Sequence, residues 1–210
     1  MISFLITSKN EEYLDQTIES LLLNSFHENE IISEEDDGRG QRAMINKLAS
    51  LAKHNIICKV DAHCSFGPDF DKYLLEDLKE KTVIAPILYP LDGETWTVNH
   101  HNPMKAFHVD ENFVMQHGEG DTPCMQGSFF MCYKKFFFEA NLCDESLGSW
   151  GGQAVELGMQ TKLNGGECVI SDKTYYGHVF RHKDEDFPYE RDQKKIDETQ
   201  AKLVAKYSVV

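Results

Sequence analysis

Short apolar runs alternate with stretches of helical period along the chain up to residue 88. Ile2-Ser3-Phe4-Leu5-Ile6 reads as a first strand. Leu14, Ile18, Leu21 and Leu22 then recur at three- and four-residue intervals, which predicts an amphipathic helix over 11–24 with Ser8 or Asn10 as its N-cap. Glu30-Ile31-Ile32-Ser33 is a second short strand that runs into the acidic stretch Glu34-Glu35-Asp36-Asp37, and Asp37-Gly38 and Gly40 mark a tight turn. Met44, Ile45, Leu48 and Leu51 line one face of a helix over 41–53. Ile56 to Val60 is a buried strand, apolar except for Lys59. Pro68 suits the first turn of a helix over 68–80, and Thr82 to Leu88 is the next strand. Strands alternating with helices predict an α/β fold, a Rossmann-like, mostly parallel sheet flanked by helices in a single compact domain.

The pattern loosens between 89 and 123. Residues 105–109 and 112–116 suit a hairpin, and His100, His101, His108 and His117 fit no ligand spacing, so they stay unassigned. A stretch of this length inside a compact domain is functional or mobile. Beyond it lie a strand over 127–133, an aromatic helix around Phe136-Phe137-Phe138, a helix over 151–164 stopped by Gly165-Gly166, and strand pieces at 168–170 and 174–176. Residues 190–207 form a polar helix with few apolar anchors, expected to lie loosely on the surface.

Hydrophobic content of 41% and charged content of 27% are those of a globular domain. No apolar run approaches the roughly 20 residues that cross a bilayer, and the opening residues read as a strand, not a leader, so the expected compartment is the cytoplasm, with no membrane partner. The six cysteines include no C-x-x-C pair and are expected to be free thiols. A formal charge of −14 argues against broad binding of nucleic acid, which enters only as a substrate. The same charge means that a phosphate-bearing ligand needs a local cation.

Asp61-Ala62-His63 closes the third strand, and ligands bind outside the carboxyl ends of strands in open α/β sheets. A carboxylate and an imidazole two residues apart can face one ion there. The bland alternative makes Asp61 a turn cap and His63 an exposed loop residue.

The ordered series Asn10-Glu11, Asp36-Asp37-Gly38, Asp61-Ala62-His63, Gly127-Ser128-Phe129-Phe130, Trp150-Gly151-Gly152, Glu156-Leu157 and Gly177-His178-Val179-Phe180-Arg181 resembles the GT-A nucleotide-diphospho-sugar glycosyltransferases. It is most similar to the polypeptide N-acetylgalactosaminyltransferases, and more distantly to family 2-like enzymes. The resemblance runs over roughly residues 2–183 and divides the chain into a nucleotide-binding half (1–88), an acceptor and metal half (89–183) and a helical tail (184–210). It implies a metal-dependent, retaining enzyme that moves a sugar from a UDP-sugar to a hydroxyl acceptor: a glycan, a protein or a hydroxymethylated DNA base.

Under that resemblance Asp61, His63 and His178 hold Mn2+ or Mg2+. A mixed carboxylate and imidazole set suits a six-coordinate ion better than a closed zinc site. The alternative for His178 is a core imidazole. Asp36 or Asp37 would select uridine, with Thr7, Asn10 and Glu11 lining the same pocket. Arg181 and Arg42 are candidate phosphate contacts, a surface salt bridge being the other reading of Arg42. Gly127 and Ser128 would pass close to the donor sugar. Trp150, Gln153 and Glu156 complete the catalytic candidates, Trp150 as a wall of the acceptor site and Glu156 as a contact to sugar hydroxyls or a brace for the metal site.

Two departures stand out. Gln153-Ala154 occupies the place of Glu-Asn, or of the Glu-Asp of inverting relatives, and neither an amide nor a methyl group can act as a base. That disfavours inversion. Only about 25 residues separate Asp36 from Asp61, enough for one helix and one strand, where most relatives carry a further helix-strand unit. The chain is expected to lack the membrane anchor and carbohydrate-binding domain of the secretory enzymes, so the resemblance by itself does not carry over their Ser/Thr-protein acceptor. A non-catalytic sugar-nucleotide or glycan binder is the rival reading. A nucleotidyltransferase is weaker, since Thr7-Ser8-Lys9-Asn10 is no glycine-rich basic loop.

Overall fold

The computed structural model describes residues 1–181, 183 and 186–209. Its first half alternates as expected: β1 (Ser3–Ser8), α1 (Leu14–Asn24), β2 (Glu30–Glu35), α2 (Gln41–Leu51), β3 (Ile56–Asp61), the short β4 (Cys64–Phe66), α3 (Phe70–Asp77) and β5 (Thr82–Asp92). Then come β6 (Thr97–Val98), β7 (Phe107–Val109), β8 (Met115–His117), β9 (Pro123–Cys124), β10 (Phe129–Tyr133) and α4 (Lys134–Glu139). A 3-10 turn (Glu145–Leu147), α5 (Gln153–Leu163), β11 (Glu167–His178) and α6 (Gln193–Tyr207) complete the chain.

The main sheet has the order β2-β1-β3-β10-β5-β11-β4, with β6 pairing β5. Strands β2, β1 and β3 are mutually parallel, as are β5 and β11, while β10 runs against both β3 and β5 and β4 runs against β11. Most of the strands therefore point one way, and their carboxyl ends share one edge. Apolar residues fill both faces: Phe4, Leu5 and Ile6 of β1, Ile57, Cys58 and Val60 of β3, and Phe129, Phe130 and Met131 of β10 are fully buried. Continuous apolar strands of this kind are what a sheet covered by helices requires.

Three strands separate β3 from β4 in the sheet, yet only Ala62 and His63 join them in sequence. The sheet curls, so its far edge returns over the end of β3. His178, the last residue of β11, registers with Cys64 of β4, and Val179 donates its N–H to the His63 carbonyl at 3.1 Å. This connection brings residue 178 beside residues 61 and 63.

Several expectations need correction. The stretch 89–123 carries its own three-stranded sheet, β8-β7-β9, anchored by buried Phe107, Val109 and Cys124. The two pieces expected at 168–170 and 174–176 are one strand, β11, whose register against β5 slips between Ser171 and Tyr175. The tail helix is not loosely attached. Thr199, Leu203 and Tyr207 recur every four residues and are buried, and Lys206 pairs with Asp144 at 2.7 Å. Helix α5 starts at Gln153, not 151, because Gly151 and Gly152 take φ of 94° and 63°, a left-handed backbone suited to glycine. No helix among the described residues is long and apolar enough to cross a membrane.

Candidate functional site

A cleft of about 360 Å³ opens at the shared carboxyl edge of β1, β2 and β3. The Thr7↔Asp61 and Ser8↔Glu35 registers set these strand ends side by side. Thr7, Ser8, Asp36 and Gly38 form one wall, Asp61, His63 and His178 the floor, and Trp150 and Tyr189 the opposite side.

At the floor, one ligand atom from each of Asp61, His63 and His178 lies within 4.8 Å of the others. His178 Nε2 is 3.4 Å and His63 Nε2 3.9 Å from Asp61 Oδ2, and the two imidazole centroids are 4.8 Å apart. Both ring nitrogens of His178 are buried without a hydrogen-bond partner. Buried polar atoms are ordinarily satisfied, so orphaned nitrogens aimed at a carboxylate fit a site for a divalent ion. Burial pushes the His178 pKa down to about 4, against the pull of Asp61, so the ring is neutral at pH 7 and its lone pair is free to coordinate.

Asp61 is itself gripped from behind. Burial raises its pKa, but the ammonium of Lys59, together with His178 and His63, more than reverses this and holds it far below the carboxylate range. Lys59 is fully buried, and its Nζ donates to Asp61 Oδ1 and to the Gly127 carbonyl. That leaves Oδ2 facing the imidazoles. On the other flank, His63 Nδ1 meets Glu11 Oε2 at 2.9 Å, and Arg181 Nη2 donates to both oxygens of Glu11 at 2.7 and 2.8 Å. Burial raises the Glu11 pKa, and His63 and Arg181 bring it below its ordinary value. A carboxylate behind a ligating histidine fixes the tautomer and presents the other nitrogen, here Nε2, to the floor.

The structure sorts the residues predicted from sequence. Thr7, Glu11, Asp36, Asp61, His63, Trp150, His178 and Arg181 are on the cleft, Glu11 as a brace for His63 and Arg181 more than as a pocket wall. Asp36 Oδ1 also accepts from the N–H groups of Gly38 and Gly40, both at 3.0 Å, which shapes the turn after β2. Asp37 points away and pairs with Arg39 on the surface. Asn10 lies outside the wall, donating its backbone N–H to Glu35 and its side-chain amide to the Pro188 carbonyl. Gly127 and Ser128 are one layer behind. The Gly127 carbonyl holds Lys59, Ser128 Oγ bonds Tyr176 OH at 2.8 Å, and Gln126 takes the wall position.

Arg42, Gln153 and Glu156 need the largest correction. Arg42 Nε donates to Glu156 Oε2 at 2.7 Å with both side chains buried, so Arg42 is neither a phosphate contact nor a surface pair. Its other nitrogens reach the carbonyls of Gly148 and Gly151, and the second Glu156 oxygen accepts the N–H of Asp144. This cluster clamps the 144–152 loop and makes no contact with the cleft. Gln153 is buried beside it, its amide on Cys143 Sγ at 3.4 Å.

Sequence reasoning gives Lys59 no role, and it expects the tail after 182 to shape the acceptor side without singling out any residue of it. Phe187, Tyr189 and Arg191 line the cleft; the Arg191 guanidinium lies 5.5 Å from the Trp150 ring centroid and 4.7 Å from that of Phe187. Two aromatics in a polar tail were the available signal, as was a lone lysine in an otherwise apolar strand.

No family model matches the chain. Among curated proteins it is 28% identical over 192 residues to polypeptide N-acetylgalactosaminyltransferase 13 of Homo sapiens, which covers 83% of this chain and 34% of that protein. It is 26% identical over 167 residues to putative polypeptide N-acetylgalactosaminyltransferase 13 of Drosophila melanogaster, 71% of this chain and 29% of that one. The chain thus spans about a third of the length of these relatives. Among solved structures, GalNAc-T7 crystallised with UDP, GalNAc and Mn2+ superposes with a TM-score of 0.77 at 16% identity, over 98% of this chain and 47% of that one. Staphylococcus aureus TarS 1–349 with UDP-GlcNAc gives 0.63 at 11% identity, over 98% and 66%. The fold is that of the GT-A glycosyltransferases, and the chain resembles the polypeptide N-acetylgalactosaminyltransferases.

Proposed function

We propose that this chain, folded as those transferases are, moves a sugar from a UDP-sugar to a hydroxyl acceptor with the help of a divalent ion, Mn2+ or Mg2+. The observation that carries the reading is the convergence of Asp61, His63 and His178 on the floor of a cleft walled by the ends of β1 and β2. When bound, such an ion supplies positive charge to the two phosphates of the donor and makes the diphosphate a better leaving group. The chain's own residues do the rest. Asp61, His63 and His178 would hold the ion, and Glu11 behind His63 would keep that ring in the ligating tautomer. Asp36 lies at the strand end where a uracil N3–H would find an acceptor, and Trp150 and Tyr189 narrow the cleft against water.

Configuration is retained in this reading. Gln153 offers no base and is turned into the core, so the departing diphosphate takes the acceptor proton on the same face. The six free cysteines, five of them buried, support a reducing compartment such as the cytoplasm. Acceptors compatible with a cleft of this size are the hydroxyl of a glycan, of a protein or of a modified base.

The test is UDP release from a panel of UDP-sugars with Mn2+, with EDTA, and with Mn2+ restored. Release that EDTA stops and Mn2+ recovers is the expected result, and product NMR should show the donor's anomeric configuration. The withdrawal of Gln153 and Glu156 from the cleft favours one rival, a binder that kept the scaffold. Metal-dependent thermal stabilisation by a UDP-sugar, with no UDP released in the presence of any acceptor, would establish that rival instead.

A further inference from the structure

The cleft is electrically balanced in a chain whose formal charge is −14. Among the described residues its wall carries four cationic side chains, Arg181 and Lys195 among them, and five carboxylates, including Glu11 and Asp61. Lys59, buried beneath Asp61 and bonded to its Oδ1, is the fifth cation and makes the two counts equal. The balance is tightest where it matters: Asp61 is matched by Lys59, and Glu11 is matched by Arg181. A divalent ion entering alone therefore gives up part of its hydration to a site with no net charge to attract it. The missing negative charge is what a nucleoside diphosphate brings.

We propose that Lys59 is a positioning residue that couples the two ligands, making metal affinity depend on the diphosphate. It does so in two ways. It occupies Oδ1, so Asp61 offers one oxygen only, and it cancels that carboxylate's charge from the buried side. The inference rests on the metal-dependent reading above.

Binding of Mn2+ to the whole chain, followed by the loss of the free-ion EPR signal, tests this without relying on turnover. UDP, corrected for the Mn2+ it holds in buffer, should tighten metal binding by about 10- to 100-fold, the usual range for coupled ligands. Uridine, which lacks the charge, should leave it unchanged. In Lys59→Met, Mn2+ alone should bind at least about tenfold tighter, the effect of removing a unit charge some ångströms from a divalent ion even at near-aqueous screening, and the effect of UDP should shrink accordingly. A purely structural lysine predicts otherwise: Lys59→Met would weaken Mn2+ equally with and without UDP, leaving their ratio intact, and that overturns the proposal. Should the variant not fold, the unsubstituted chain still decides, because equal Mn2+ affinity with UDP, with uridine and with neither defeats coupling while leaving a metal site in place. No Mn2+ binding under any condition would instead remove the metal reading and this inference together.

Discussion

Two clusters of charge, one fully buried and one at the floor of the cleft, are each built around a carboxylate gripped by a buried cation. One joins Arg42, Glu156 and the N–H of Asp144; the other joins Lys59, Asp61, His63 and His178. In the first every strong donor and acceptor is spent: Arg42 reaches one carboxylate and two carbonyls, and both oxygens of Glu156 are taken. In the second, Asp61 Oδ2 meets the two imidazoles only at 3.4 and 3.9 Å, and the ring nitrogens of His178 complete no well-formed hydrogen bond. A closed cluster fixes a loop, whereas one with capacity left over awaits a ligand. Motif spacing alone assigns both to chemistry, and the difference lies in bonds that the sequence does not display.

The sharpest way to break this contrast is to remove one member of the closed cluster. Glu156→Ala leaves a buried guanidinium unpaired and should cost about 3–5 kcal/mol in urea denaturation. A loss below 1 kcal/mol would mean that the clamp is unimportant. In the open cluster the balance should invert. His178→Asn should lower Mn2+-dependent UDP release at least about 100-fold, since metal assistance is worth several kcal/mol, while costing less than half the stability lost in Glu156→Ala. Equal damage to stability from both changes would make His178 another core residue.

Smaller effects refine the picture. Glu11→Gln removes the charge behind His63 and should weaken Mn2+ about tenfold in the presence of UDP, as seen by EPR. Unchanged affinity would reduce Glu11 to a partner of Arg181. The pH dependence of the closed side follows from Asp144. Burial raises its pKa, but Lys206 and Ser146 outweigh this and bring it down to about 2. A depressed carboxylate contributes its stability above the ordinary value near 4 and loses it as pH falls toward 2. Undocking of α6, followed by proteolysis of the tail, should therefore gain up to about 2 kcal/mol over that window. Lys206→Met should abolish most of the dependence, and a profile that ignores the substitution would place the acid-labile group elsewhere.

How much of this is legible in the sequence follows from the residues themselves. The strand-helix alternation up to residue 88 is written in periodicity, because β1, β3 and β5 are apolar on both faces and each helix on one. Asp61, His63 and His178 could be read because the motif order carried them, although spacing alone could not bring residue 178 to residue 61; the curl of the sheet does that. Helix α5 misled, since Val155, Glu156, Leu157, Gln160 and Thr161 are all buried and no polar face marks the cleft side. A carboxylate in its first turn then looks available when it is enclosed. Helix α6 misled in the other direction: Thr199, Leu203 and Tyr207 form a narrow stripe that overall polarity hides. Strand β4 was too short for any period to show.

The placement of β10 has a consequence for biosynthesis. Its five residues sit between β3 and β5, pairing Met131 with both Cys58 and Ile84. Until residue 133 has left the ribosome, the two earlier strands have no neighbour to join them, and the sheet stays open at its middle. Such distant pairing slows folding and exposes unpaired strand edges to aggregation while translation continues. A nascent chain stalled near residue 95 should therefore remain sensitive to protease and hold chaperones, and one stalled well past 180 should not.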